Sequence, residues 1–449
     1  MFGTIASNLA SNTDNLTTPL TINGERLMQM MTEVGAIGAL PNGGVRRLAF
    51  SPEDREARQL VQSWMEAAGM TVTIDAAANL IGRYEGRFPH APALVTGSHL
   101  DTVPNAGIYD GTYGVLAGVE IARTLHDHGM RPDHPIEVIV FADEERTMIG
   151  SKAMAGKAKL DPNFYDHPHY EPIEIGLNYI GGDWSNLPSA QRNTDGLAAF
   201  VELHVEQGPV LEAAGSPMGL VTGIVGQRRY LIDIEGQASH AGTTPMAMRQ
   251  DALVAASQVI LAVNRIGQKT GDGYGDQVAT VGAMKLSPNV ANTIPGRVEM
   301  TLDIRDLSNQ RLDAMMAELE QEMGAIATHT DTQIHLKLQL RNEPIPVSSH
   351  IYNTIAQVCE HLELPVQSLP SRASHDAQII ASITDMGMIF VPSQGGISHS
   401  ETEYTSPEHC IQGANILLHT LLELDQHYRC PEAMDDITHS TTGDTPRAI

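Results

Sequence analysis

Three histidines and two carboxylates of this chain sit in short polar segments of the kind that ligate metal. His99 lies in Gly97-Ser98-His99-Leu100-Asp101, Asp110 in Asp110-Gly111, Glu145 in Asp143-Glu144-Glu145, His204 in Leu203-His204-Val205-Glu206-Gln207 and His399 in Ser398-His399-Ser400. Imidazole and carboxylate without thiolate suit Zn, Mn, Co or Ni rather than an iron-sulfur centre. Five ligands exceed what one zinc needs, and a carboxylate such as Asp110 can give one oxygen to each of two ions about 3.5 to 4 Å apart. The set points to a binuclear site. Glu144 and Glu145 would face opposite ways in a regular strand, and a loop relaxes this, so one can bind metal while the other holds a proton. Asp101 and Glu403 are close enough in sequence to orient His99 or its neighbours as outer carboxylates.

The elements that must position these groups read as two kinds. Ser51-Pro52-Glu53 is a capped helix start, and Leu60, Val61, Trp64, Met65 and Ala68 follow at helical spacing until Gly69. Residues 93–97 and 136–141 are short β-branched apolar runs, as expected of buried parallel strands. His99 follows the first and Glu144 and Glu145 the second, where open α/β sheets place ligands at strand carboxyl ends. Val115, Leu116, Val119, Ala122 and Leu125 form the apolar stripe of a crossover helix, with Asp110 just before it.

From about 214 to 341 the pattern changes. Tyr230, Ile232 and Ile234 alternate with polar neighbours, as do Val298, Met300, Leu302 and Ile304, and Ile334, Leu336, Leu338 and Leu340. With helices at 249–264 and 308–327 and a strand near 277–285, the order is β-α-β-β-α-β, a ferredoxin-like domain inserted into an α/β domain. The expected organisation is a loosely ordered segment 1–23, a catalytic domain from 24–213 and 342–429, the insert 214–341 and a loose tail 430–449. Ser406-Pro407-Glu408 caps a last apolar helix over 411–424.

With 449 residues, packing alone can stabilise the fold. Cys359, Cys410 and Cys430 are too widely spaced for a thiolate metal site and read as reduced thiols. The first 25 residues lack the basic and apolar features of a targeting peptide, so a cytoplasmic location is expected. A net charge of -26, from 28 basic and 54 acidic residues, repels nucleic acid and anionic lipid, and no apolar run is long enough to span a bilayer.

Over residues 25–425 the chain resembles the N-carbamoyl-L-amino-acid amidohydrolase and allantoate amidohydrolase group, the amidase branch of the binuclear zinc aminoacylase and carboxypeptidase clan. The discriminating motif is Glu-Leu-His-Val-Glu-Gln-Gly at 202–208, since peptidase relatives use a carboxylate where His204 stands. The resemblance implies a zinc-peptidase-like α/β catalytic domain with a mixed, largely parallel sheet, plus an inserted lid and dimerisation domain. It implies two divalent ions: His99, Asp110 and His204 hold one, Asp110, Glu145 and His399 the other, with Glu144 as general base. It also implies that Gln207, His240, Asn292 and Arg305 bind substrate, with His240 stabilising the oxyanion and Arg305 gripping a carboxylate. The expected substrate is an N-carbamoyl-L-amino acid, with allantoate or another ureido acid as the alternative, and the expected assembly is a homodimer. A peptidase or a binding protein without catalysis is disfavoured by His204 and Glu144, respectively.

Two positions depart from the group's pattern. Relatives follow the paired glutamates with Gly-x-Arg-Phe, whereas Arg146-Thr147-Met148-Ile149-Gly150 follows here. Relatives have proline where Glu401 stands, which frees a backbone angle and adds charge beside His399.

Overall fold

A computed structural model describes residues 20–166, 171–270 and 277–428. The chain forms two compact units, one drawn from Met1–Leu220, Ser348–Gln367 and Ile379–Ile449, the other from Val221–Val347 and Ser368–Gln378.

The first unit is built on a mixed sheet. Its strands run in the order Thr71–Ile74, Leu80–Tyr84, Ile136–Phe141, Ala93–His99, Leu197–Val205, Met386–Val391. The four central strands are parallel, with His99 opposite Phe141 and Phe390 opposite His204. The flanking pairs are antiparallel, and Gly219 and Leu220 add antiparallel to Met386–Val391. The parallel centre follows from its residues: Ala93–His99 and Ile136–Phe141 are buried at every position, as strands covered on both faces must be. His99 closes its strand rather than following it, so its backbone is fixed in the sheet.

Helices Gly24–Ala36, Pro52–Ala67, Thr112–Asp127, Ser349–His361 and Pro407–His427 share one apolar core with the sheet, through residues such as Leu27, Val61, Leu116, Ile355 and Leu417. Ser51 and Ser406 each accept a backbone N–H of the first turn, with proline at the first helical position, as their sequences predict. A smaller core joins Ala142, Ile149, Ile173 and Leu187. Cys359 and Cys410 are buried free thiols, and Cys430 lies outside the described residues.

Of the 1–23 segment only residues 20–23 are described: Ile22 is buried and its N–H donates to Asn415 Oδ1 at 2.9 Å, while Thr21 and Asn23 are exposed. The expected loose tail 430–449 lies outside the described residues. No helix among the described residues is long and apolar enough to cross a membrane.

The second unit runs Gly226–Glu235, Ala252–Gly267, Val278–Ser287, Arg297–Asp306, Asn309–Thr330, Gln333–Asn342, the β-α-β-β-α-β order. Its antiparallel sheet places the fourth strand, the first, the third and the second side by side, a ferredoxin-like arrangement. Val298, Met300, Leu302 and Ile304 point into its core as their alternation requires. The alternation expected at Ile334–Leu340 breaks, because the register slips between Leu338 and Leu340 and leaves Leu338 exposed.

Candidate metal centre

The first unit brings the five expected ligands together with Glu144. Asp110 is the hinge of the arrangement. Its Oδ1 lies 3.2 Å from His204 Nε2 and 3.7 Å from His99 Nε2, whereas its Oδ2 lies 3.2 Å from His399 Nε2. The two oxygens thus face two separate groups: His99, Asp110 and His204 form one with ligand atoms within 4.8 Å of one another, and Asp110, Glu145 and His399 form a second.

The paired glutamates diverge between these groups. Asp143 has φ 58°, which breaks the strand, and the turn closes with Thr147 N–H and Met148 N–H both donating to the Asp143 carbonyl. Out of that turn, Glu144 Oε2 lies 3.6 Å from His99 Nε2 and Glu145 Oε2 lies 3.6 Å from His399 Nε2.

Local chemistry fixes which ring nitrogen faces inward. His99 Nδ1 donates to the Asp101 carbonyl at 2.9 Å and His204 Nδ1 to the Val205 carbonyl at 2.8 Å, so Nε2 is the ring atom that each turns toward the cluster. Close approach demands glycine behind them. Gly111 has φ 65°, and a Cβ there would sit 2.4 Å from the His99 ring; a Cβ on Gly114 would sit 2.2 Å from the Leu203 carbonyl oxygen.

Outer contacts hold the loops. Asp101, fully buried, accepts the N–H groups of Glu144 at 3.4 Å and Glu145 at 3.1 Å. It therefore anchors the turn that carries both glutamates, and its carboxylate is 3.9 Å from His99 Nδ1. Glu403 accepts the N–H groups of Tyr109 and Asp110 at 3.0 and 3.3 Å, and Ser398 Oγ donates to it at 2.9 Å. Ser398 also lies 3.2 Å from Asp110 Oδ2, a bridge that its place beside His399 in the sequence did not disclose. Gln207, at φ 57°, donates through Nε2 to Asp110 Oδ2 at 2.7 Å.

Electrostatically the cluster is a proton trap. Burial opposes charge on His204, but its hydrogen bond to Asp110 and the charges of Asp110 and Glu202 push it up to about 9. The hydrogen bond to Asp110 likewise raises His399 to about 9. Burial, and then the charge of Asp110, raises Glu145 to about 7. Asp110 resists its own burial and is held well below the usual carboxylate range by His204 and His399. The donor set fits divalent cations on these grounds: imidazole lone pairs and carboxylates converge on two points, and Glu145 Oε1 is buried with no hydrogen-bond partner among the described residues.

The remaining expected residues lie in the second unit. His240 pairs in register with Thr293, and Ala241 N–H donates to the Asn292 carbonyl at 2.9 Å, so His240 and Asn292 are neighbours. His240 Nδ1 accepts the N–H groups of Gly242 and Thr243 at 3.0 and 3.2 Å, which leaves the proton on Nε2 and makes that exposed atom a donor. Arg305 donates to Asp303 at 2.9 Å and to the Arg372 carbonyl at 2.6 Å. At the two departures, Arg146 pairs with Asp143 at 3.3 Å and Glu401 accepts Asn105 Nδ2 at 2.6 Å.

An α/β unit with such a cluster at the carboxyl ends of its parallel strands is the architecture of a metal-dependent hydrolase, and the chain belongs to peptidase family M20/M25/M40, whose profile matches residues 95–423. Its likeness is to the amidases of that family. It is 42% identical over 412 residues to the N-carbamoyl-L-amino acid amidohydrolase of Geobacillus stearothermophilus, across 90% of this chain and 99% of that one. It is 35% identical over 398 residues to the allantoate amidohydrolase of Escherichia coli, across 87% and 95%. Among solved structures, an amidase of the hydantoinase/carbamoylase family from Burkholderia multivorans matches with a TM-score of 0.85 at 39% identity, across 90% and 98%.

Proposed function

We propose that the protein is a binuclear-metal amidohydrolase that uses water to cleave the carbamoyl C–N bond of an N-carbamoyl-L-amino acid, giving the amino acid and carbamic acid, which falls apart to carbon dioxide and ammonia. The observation that carries this is the split of Asp110, one oxygen toward His99 and His204 and the other toward His399. The 42% identity to a carbamoyl-amino-acid amidohydrolase supports the substrate class. His99, Asp110 and His204 would hold one divalent ion and Asp110, Glu145 and His399 a second, zinc or else manganese, cobalt or nickel, which would supply Lewis acidity for the carbamoyl group and for water.

Glu144 takes the proton of that water and delivers it to the departing nitrogen, which its place beside His99 allows. Glu145 and His399 hold their side of the centre while Asp101 and Glu403 keep the ligand loops in register. Gln207, His240, Asn292 and Arg305 bind substrate. His240 donates through Nε2–H to the developing oxyanion, a contribution of roughly 3 to 4 kcal/mol for one such donor, and Arg305 pairs with the substrate carboxylate. The second unit serves as lid and dimerisation domain of a homodimer.

Allantoate is the second reading, favoured by 35% identity to an allantoate amidohydrolase over nearly its whole length. Ammonia release by the metal-reconstituted protein, measured against N-carbamoyl-L-amino acids, allantoate and ureidoglycolate, separates them. Release from the carbamoyl amino acids alone is expected. Release from allantoate or ureidoglycolate alone would replace that substrate class, and release from none would overturn the amidohydrolase reading.

A further inference from the structure

Behind the cluster lies a guanidinium whose hydrogen bonds all go to neutral oxygens. Arg47 is completely buried. Its Nε donates to the Leu100 carbonyl at 2.7 Å, its Nη1 to the carbonyls of Val34 and Ile37 at 3.0 Å each, and its Nη2 to Thr112 Oγ1 at 3.0 Å. Its backbone is tied to the same region, with Arg47 N–H donating to Thr102 Oγ1 at 2.9 Å and Thr102 N–H to the Arg47 carbonyl at 2.8 Å. Arg58, by contrast, is also buried but has the Asp54 carboxylate at 2.8 Å.

Stability alone is a poor reason to keep such a cation. Taking a charge out of water is costly, and apolar side chains of similar volume often replace buried ions without loss. Burial pulls Arg47 down to about 10, with the charges of Asp54 and Asp101 acting the other way. What only a planar fork provides is a fixed angle between several acceptors. Two of those acceptors belong to the segments that bear ligands. Leu100 stands between His99 and Asp101, and Thr112 opens the helix immediately after Asp110-Gly111. The other two are carbonyls at the end of helix Gly24–Ala36, a negative helix terminus that favours a cation.

We propose that Arg47 is a positioning residue that sets the spacing of His99 and Asp110, and hence the affinity for the ion held by His99, Asp110 and His204. The inference rests on the two-ion reading above. Arg47 touches neither substrate nor ligand atoms and acts through Leu100 and Thr112.

The test is metal titration of the full chain with zinc, reading the stoichiometry and the two dissociation constants, alongside thermal melting of the metal-free protein. Arg47→Lys keeps the charge and loses the fork; Thr112→Val keeps the fork and loses one acceptor. Arg47→Lys is expected to weaken one of two ions by about 10- to 100-fold, the range for residues that orient ligands, and leave the other unchanged. Thr112→Val should weaken the same ion less. In a His399→Ala background, where only the ion of His99, Asp110 and His204 remains, the weakening should persist. Should Arg47→Lys fail to fold, Thr112→Val decides alone. Wild-type affinities with only a lower melting temperature would reduce Arg47 to a structural role and overturn the proposal, as would equal weakening of both ions. A wild-type chain that binds fewer than two ions would instead overturn the two-ion reading itself.

Discussion

Asp110 is the residue on which the chemistry turns, because its Oδ1 faces His204 and His99 while its Oδ2 faces His399 and accepts from Gln207. Asp110→Asn keeps the shape and removes the charge, so metal content should drop below one ion per chain with circular dichroism unchanged. His399→Ala should cost one ion only. Protons and metal compete for the same nitrogens. Since Asp110 raises His204 and His399 to about 9, metal binding below that pH must displace protons, and affinity rises as pH increases toward 9. Calorimetric titrations in buffers of different ionisation enthalpy should show proton release on binding, and pH-independent affinity would contradict the assignment. The residues that cluster around Asp110 were legible from residue type beside strand ends. Asp101 and Glu403 were legible as outer carboxylates, but not the groups they hold: Asp101 reaches the N–H groups of Glu144 and Glu145 across a separation of 43 and 44 residues, and Glu403 reaches Asp110 across 293. A sequence carries no local signal for hydrogen bonds between distant loops.

At the scale of elements, the site depends on how closely helix Thr112–Asp127 approaches the sheet. Gly114→Ala would press a methyl group against the Leu203 carbonyl and should destabilise the fold by about 1 to 3 kcal/mol, the range for overpacking. Gly111→Ala adds left-handed strain and a clash with His99, and should lower metal affinity more than it lowers the melting temperature of the metal-free protein. Helix starts at Ser51 and Ser406 were readable because a cap is a contact between near neighbours. The antiparallel flanks of the first sheet and the slip between Leu338 and Leu340 were not, since both are settled by which strands meet rather than by either strand's own pattern. Arg47 has no signal in the sequence for the same reason: its neighbours, Arg46 and Leu48, say nothing of Leu100 and Thr112.

At the scale of the whole molecule, the change from buried runs to alternating strands made the second unit visible along the chain. The return of Ser368–Gln378 to that unit has no such mark, because which unit a short segment packs against is settled by long-range contacts rather than by its own pattern. Dimerisation through the second unit predicts twice the chain mass by light scattering, and a fully active monomer would contradict it. The central claim, that Glu144 moves the proton in a two-ion amidohydrolase, is tested most directly by one comparison. Wild type and Glu144→Gln, each loaded with zinc and assayed for both bound metal and ammonia release from an N-carbamoyl-L-amino acid, should bind two ions alike. The variant should release ammonia about 10²- to 10⁴-fold more slowly, the contribution of one positioned acid–base group. Undiminished release by Glu144→Gln with both ions in place would contradict the account.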